Sequence, residues 1–240
     1  MEKKERHTNS QVISSWYDEE SIISTEFRRL YSKLRHLNPN RELKNLLITS
    51  AVLGEGKSTT AALLAITIAK YRNTNTLLID CDLRRPTIHR LFGLQREKGF
   101  IDVVQKNMTL KSVLKDTFVP KLKVLTAGKL TMNPAEIFNL SNIRDLFSES
   151  KFYFDTIIVD SAPTVPVSDT LVLSSEMDGA MIVVKAGKTP RQLVKRAVDL
   201  MRDSGINILG VILNNVETVL PYYYNYHHDY YQYPKTAVNQ

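Results

Sequence analysis

Gly54-Glu55-Gly56-Lys57-Ser58-Thr59 is the segment that most limits what this chain can fold into. It follows a short apolar run, Leu46-Leu47-Ile48-Thr49-Ser50, and leads into an alanine-rich stretch over residues 59–71. The run reads as a strand and the stretch as a helix. Glycines at 54 and 56 let the backbone turn tightly enough to aim several N–H groups inward. The helix start behind them adds partial positive charge. Such a loop cradles phosphate, with Lys57 on the outer phosphates and the Ser58 hydroxyl in a magnesium shell. Residues 51–58 match the Walker A pattern, with Ala51 in place of the first glycine. Gly54, Glu55, Gly56, Lys57, Ser58 and Thr59 are therefore the expected nucleotide-binding residues.

Further apolar runs bounded by polar or turn residues lie at 76–80, 122–125, 156–160, 180–185 and 208–213. They do not alternate with polar residues, so both faces of each strand are covered. Residues 191–204 read as one of the helices between them. The alternation predicts an α/β fold, a mostly parallel sheet flanked by helices on both faces. With the phosphate loop, this is the P-loop NTPase class. Ahead of the loop, Phe27, Leu30, Tyr31 and Leu34 recur at helical spacing over 26–37, with Ser24 as candidate cap and Asn38-Pro39 as the stop. Residues 1–20 are polar and predict a flexible arm. Residues 21–220 form the P-loop domain, and residues 221–240 a flexible tyrosine-rich tail.

A hydrophobic content of 43% with 24% charged residues suits a globular chain and excludes a largely disordered one. A single cysteine, Cys81, excludes an internal disulfide framework and a cysteine-rich zinc site, and suits a reducing cytosol. No apolar run is long enough to cross a bilayer, and no apolar segment follows the charged N-terminus, so neither span nor secretory signal is expected. The net charge of +7 is not one patch: the excess peaks at +4 over residues 51–100 and the last 40 residues carry −1. That distribution reads as local anion binding, not as a nucleic-acid surface.

Leu77-Leu78-Ile79-Asp80-Cys81-Asp82 sets two acids at the C-terminal end of a strand, the edge where open parallel sheets bind ligands. Thr156-Ile157-Ile158-Val159-Asp160 sets a third there, in the Walker B arrangement. One such acid alone is an ordinary loop residue or cap. Three beside a phosphate loop point to magnesium and catalysis. Cys81, flanked by carboxylates, is a poor thiolate. Arg84-Arg85-Pro86 fits a grip on phosphate, partner or substrate and a solvated basic turn equally well. Asp102 and Glu136 have no role readable from the sequence.

Seven of the eleven tyrosines crowd into the tail: Tyr222, Tyr223, Tyr224, Tyr226, Tyr230, Tyr231 and Tyr233. Core tyrosines would follow a helix or strand period with a partner for each hydroxyl. An aromatic platform for nucleic acid would sit in a basic groove, which this segment lacks. His227 and His228 alone make a poor metal site. A phosphoacceptor tail fits better.

Gly-Glu-Gly-Lys-Ser-Thr at 54–59, Ile-Asp-Cys-Asp-Leu-Arg-Arg-Pro at 79–86, Asn-Pro-Ala-Glu at 133–136, Ile-Ile-Val-Asp at 157–160 and the terminal tyrosines occur in that order. This set resembles the bacterial protein-tyrosine kinases, in the stand-alone cytoplasmic form of Gram-positive bacteria. The resemblance implies ATP- and magnesium-dependent autophosphorylation of the tail and control of capsule or exopolysaccharide production. It also implies a membrane activator of the polysaccharide co-polymerase type that recruits the kinase to the inner face of the membrane, and a tyrosine phosphatase that reverses the reaction. Lys57, Asp80, Asp82 and Asp160 would be the catalytic set, with Asp82 in preference to Asp80 taking the phenol's proton. Ser58, Asp82 and Asp160 would hold the metal, and Asn214 would contact the adenine. A homo-oligomer is implied as well, but the ring-forming Glu-x-x-Arg-x-x-Arg pattern is incomplete: Glu26 and Arg29 fit, and Ser32 stands at the third position.

The rival is a partitioning or division-site ATPase of the same class. Those carry a signature lysine early in the loop, where this chain has Val52, and often end in a membrane-seeking helix where this chain has tyrosines. A scaffold that binds ATP without transferring phosphate is the third reading; the full acid set argues against it.

Overall fold

The computed structural model describes residues 12–15, 17–37, 43–138 and 140–216. The apolar runs become strands β1 (Asn45–Ser50), β2 (Thr76–Cys81), β4 (Leu122–Leu125), β5 (Thr156–Ser161), β6 (Gly179–Lys185) and β7 (Ile208–Asn214), with a two-residue β3 (Lys115–Asp116) that no apolar pattern announces. They form one sheet in the order β3-β4-β2-β5-β1-β6-β7, parallel throughout except where β3 runs against β4. The helices are α1 (Ile22–Leu37), α2 (Lys57–Arg72), α3 (Ile88–Phe92), α4 (Phe100–Val104), α5 (Leu110–Val113), α6 (Pro134–Ile137), α7 (Leu140–Tyr153), α8 (Asp169–Leu173) and α9 (Arg191–Asp203).

Every residue of β1, β2 and β5 is buried, as unbroken apolar runs require. Successive side chains feed two separate cores. Leu47, Leu77, Ile79 and Ile157 pack with Phe100 of α4, Phe147 of α7 and Met201 of α9. Leu46, Ile48, Leu78 and Ile158 pack on the other face with Ile66 and Ile68 of α2 and Tyr31 and Leu34 of α1. Helix α2 lies between sheet and α1, so it is buried nearly all round, and its alanines at 61, 62, 65 and 69 are fully covered. It stops at Asn73, a left-handed C-cap with φ 54°.

Three expectations need correction. Ser24 is not a cap: α1 begins at Ile22, and the buried Ser24 hydroxyl donates to the Asp18 carbonyl inside its first turn. The described part of the expected arm, residues 12–15 and 17–20, is not loose, because Ile13 is fully buried in the α1/α2 core and the Tyr17 ring meets Phe118 at 6.3 Å. Residues 1–11, Asn38-Pro39 and the tail tyrosines lie outside the described residues. The last strand is covered less than its apolar run implies. At this sheet edge Val211 and Leu213 are 47% and 61% exposed, and β7 and α1 border a groove of about 930 Å³. Among the described residues no helix is long and apolar enough to cross a membrane.

Candidate active site

The strand order sets β2, β5 and β1 side by side, so their C-terminal ends bring Asp80, Asp160 and the phosphate loop to one place. Asp80 and Asp160 are register partners across the β2–β5 ladder. Neighbouring strands lie about 4.8 Å apart. Two carboxyl groups therefore share one buried edge.

The loop between β1 and α2 turns through Gly54 and Gly56, at φ 78° and 91°. Both angles favour glycine. A Cβ on Gly56 would also lie 2.1 Å from Nδ2 of Asn214. That amide donates to the Glu55 carbonyl at 2.8 Å, so the end of β7 braces the loop from above. The Glu55 side chain is buried and accepts from the Thr189 hydroxyl at its Oε1, while its Oε2 has no partner. Lys57 and Ser58 open α2, both buried. Thr59, Gly56 and Asn214 line the α1/β7 groove, which does not include Lys57, Ser58, Asp80, Asp82 or Asp160.

The Lys57 amine lies 2.7 Å from Asp82 Oδ2, 3.5 Å from Asp160 Oδ1 and 3.3 Å from Ser58 Oγ. Burial pulls its pKa down, but Asp160 and Asp82 outweigh burial and the net shift is upward. Asp160 is fully buried. Burial pushes its carboxyl up to about 6, against the pull of Lys57 and the Ser58 hydroxyl. Asp80 is raised well above the carboxylate range, by burial first and then by Asp160. The fully buried Cys81 thiol is pushed up by burial and by all three acids.

Asp80 and Asp82 do different work. Asp80 accepts from the N–H groups of Thr87 and Ile88 at 3.1 and 3.0 Å, and from that of Asp82 at 3.3 Å. It anchors the β2–α3 loop and does not touch the Lys57 amine. Asp82 accepts from the Arg85 N–H at 3.0 Å and turns its other oxygen to Lys57. The structure thus brings Lys57, Ser58, Asp82 and Asp160 together and leaves Asp80 behind them.

Ser58, Asp82 and Asp160 fit a magnesium ion. They are hard oxygen donors, and one ammonium cannot balance two carboxylates. Asp160 Oδ2 is buried with no partner. Among the described residues no three His, Cys, Asp or Glu side chains are grouped to hold a metal, so phosphate oxygens and water would complete the shell.

Arg84 is neither a phosphate grip nor a free turn residue: its Nε and Nη2 donate to the two oxygens of Asp169 at 2.9 and 3.3 Å. Asp169 and Thr189 escaped sequence reasoning because neither belongs to a motif. Asp102 has a local role, accepting the Gly99 N–H at 2.8 Å at the start of α4. In α1, Glu26 and Arg29 pair at 2.6 Å on an exposed turn.

The ParA family, described as NUBPL iron-transfer P-loop NTPase, matches residues 43–234. The chain is 34% identical over 194 residues to tyrosine-protein kinase YwqD of Bacillus subtilis (strain 168), covering 81% of each. It is 35% identical over 211 residues to a putative tyrosine-protein kinase, CapB, of Staphylococcus aureus, covering 87% of this chain and 92% of that one. The crystal structure of the chimerical protein CapA2B2 superposes with a TM-score of 0.79 at 29% identity, over 86% of this chain and 89% of that one. By these matches the chain belongs to the bacterial tyrosine-protein kinases, within the ParA-type P-loop NTPases.

Proposed function

We propose that the protein is an ATP-dependent tyrosine kinase whose substrates are its own tail tyrosines, 222–233. The observation that carries this reading is the convergence of Lys57, Ser58, Asp82 and Asp160 at the mouth of the phosphate loop. A tyrosine hydroxyl has a pKa near 10 and is a weak nucleophile at neutral pH. Asp82 orients it and takes its proton on a carboxylate oxygen. The phenol oxygen bonds to the γ-phosphorus, the bond from that phosphorus to the β–γ bridging oxygen breaks, and ADP leaves. The loop N–H groups and Lys57 hold the phosphates in line, so positioning and electrostatics supply the catalysis. Magnesium, when bound by Ser58 and the acids, neutralises charge on the transferring group.

In this reading residues 21–220 are the kinase domain and residues 221–240 its acceptor. Full modification adds about −10 to −14 charges at about −1.5 to −2 per phosphotyrosine, enough to repel tails from neighbouring active sites and loosen a homo-oligomer. By family resemblance the kinase is cytoplasmic, works with a polysaccharide co-polymerase activator at the inner membrane face, is reversed by a tyrosine phosphatase and regulates capsule or exopolysaccharide synthesis. The test is incubation with radiolabelled ATP and magnesium, with and without a candidate activator's cytosolic tail. Label on tail tyrosines that disappears in Lys57→Met and in a tail truncation supports the kinase. Free phosphate without labelled protein supports the partition-type ATPase instead.

A further inference from the structure

Asp160 is the penultimate residue of β5, whereas Asp82 lies just past β2 on the β2–α3 loop, and something must set their separation. The β2–α3 loop carries Asp82 and, two residues on, Arg84. Strand β5 ends at Ser161, Ala162 follows, and the chain later enters α8 at Asp169 and Thr170. The Thr170 hydroxyl, fully covered, donates to the Ala162 carbonyl at 2.5 Å and lies 3.3 Å from Ser161 Oγ. The start of α8 is thereby tied to the residues that directly follow Asp160. The adjacent Asp169, 3% exposed, is gripped through both oxygens by the Arg84 guanidinium.

We propose that Arg84 and Asp169 are positioning residues: their two-point clamp, with Thr170 behind it, holds Asp82 at its working distance from Asp160. The proposal rests on the kinase reading of this site. The geometry asks for arginine, because a planar fork meets both carboxylate oxygens at once and an ammonium meets only one with direction. An ion pair with one exposed partner adds little stability by itself. Its removal, however, leaves a buried carboxylate without partners, and the start of α8 must move to rehydrate it. A displacement of about 1 Å at a reacting group lowers rates by about 10²-fold.

The full chain carrying Arg84→Ala, Arg84→Lys, Asp169→Asn or Arg84→Ala with Asp169→Ala is compared with wild type in three measurements. These are kcat and KM for ATP in tyrosine labelling, the magnesium concentration that half-saturates binding of a fluorescent ATP analogue, and the melting temperature. The clamp predicts kcat lower by roughly 10- to 100-fold in Arg84→Ala. It also predicts a KM for ATP within about twofold, because the phosphate loop is untouched, and a magnesium requirement raised at least about threefold. Arg84→Lys should recover only part of the loss, and the double variant should be no worse than either single one. A lowered melting temperature with kcat and magnesium requirement unchanged overturns the proposal, as do full recovery in Arg84→Lys and multiplicative losses in the double variant. If Arg84→Ala does not fold, Arg84→Lys and Asp169→Asn carry the same comparison. If wild type labels no tyrosine the kinase reading fails, and the magnesium titration of nucleotide binding still decides the clamp.

Discussion

Asp160→Asn should make the folded protein more stable at neutral pH while abolishing its activity. Asp160 is wholly buried, is register partner to Asp80, and shares one ammonium with Asp82. Its pKa rises from 3.8 to about 6, with burial the largest cause. A carboxyl whose pKa is raised on folding binds its proton more tightly in the native state than in the unfolded chain. The stability it lends is fully present below the unfolded pKa near 4 and is lost as pH rises through about 6. A shift of about two units corresponds to roughly 3 kcal/mol. Asparagine keeps the shape, removes the charge and gives up part of the attraction to Lys57, so a net gain of about 1–2 kcal/mol is expected at pH 8. For a chain of this size that is roughly 2–8 °C in melting temperature. Calorimetry in EDTA without nucleotide, between pH 4 and 8, measures it. The gap between variant and wild type should be full by pH 7 and shrink steadily toward pH 4. A variant that melts below wild type at pH 8, or a gap that ignores pH, would refute the electrostatic account.

Gly56→Ala forces a Cβ against the Asn214 amide at a left-handed φ, and should lower stability by about 1–3 kcal/mol and weaken nucleotide binding more than about tenfold. Gly54→Ala, which meets nothing within 4 Å, should show the backbone strain alone and a smaller loss of affinity. Thr189→Val removes the donor to the buried Glu55 carboxylate and should cost about 1–3 kcal/mol in urea unfolding, with Thr189→Ser retaining most of it. Cys81, fully buried with its thiol pKa pushed upward, should react with Ellman's reagent only as the protein unfolds; rapid stoichiometric reaction in native buffer would contradict its placement.

The central strands were legible because a parallel sheet buries both faces, and only unbroken apolar runs do that. The phosphate loop was legible because its glycine spacing is itself the mechanism. What escaped lies beyond local pattern. Strand β3 is Lys115-Asp116, two charged residues that no hydrophobic period marks. Ile13 lies in a short Val-Ile pair within a mostly polar stretch that shows no helix or strand period, yet it fills the core over α2. The pairing of Arg84 with Asp169, 85 positions apart, follows from strand order and not from either residue's neighbours. The family resemblance put Asp80 and Asp82 in one catalytic set; only the course of the backbone at 87–88 shows that Asp80 is occupied by amides.

That division of labour bears on why the site holds three acids. Asp80's carboxyl oxygens are met by backbone N–H groups, and its task is to hold the loop that presents Asp82. Two carboxylates then face a single amine, and one oxygen of Asp160 has no partner. A fold selected for stability alone would not keep that imbalance at full burial, because apolar or amide replacements would relieve it. The imbalance makes sense if the edge must draw a divalent ion and a polyphosphate together: the ion supplies the missing positive charge, and Lys57, no longer needed between the acids, can turn to the phosphates. The stabilisation expected of Asp160→Asn and its loss of activity are therefore two readings of one electrostatic fact.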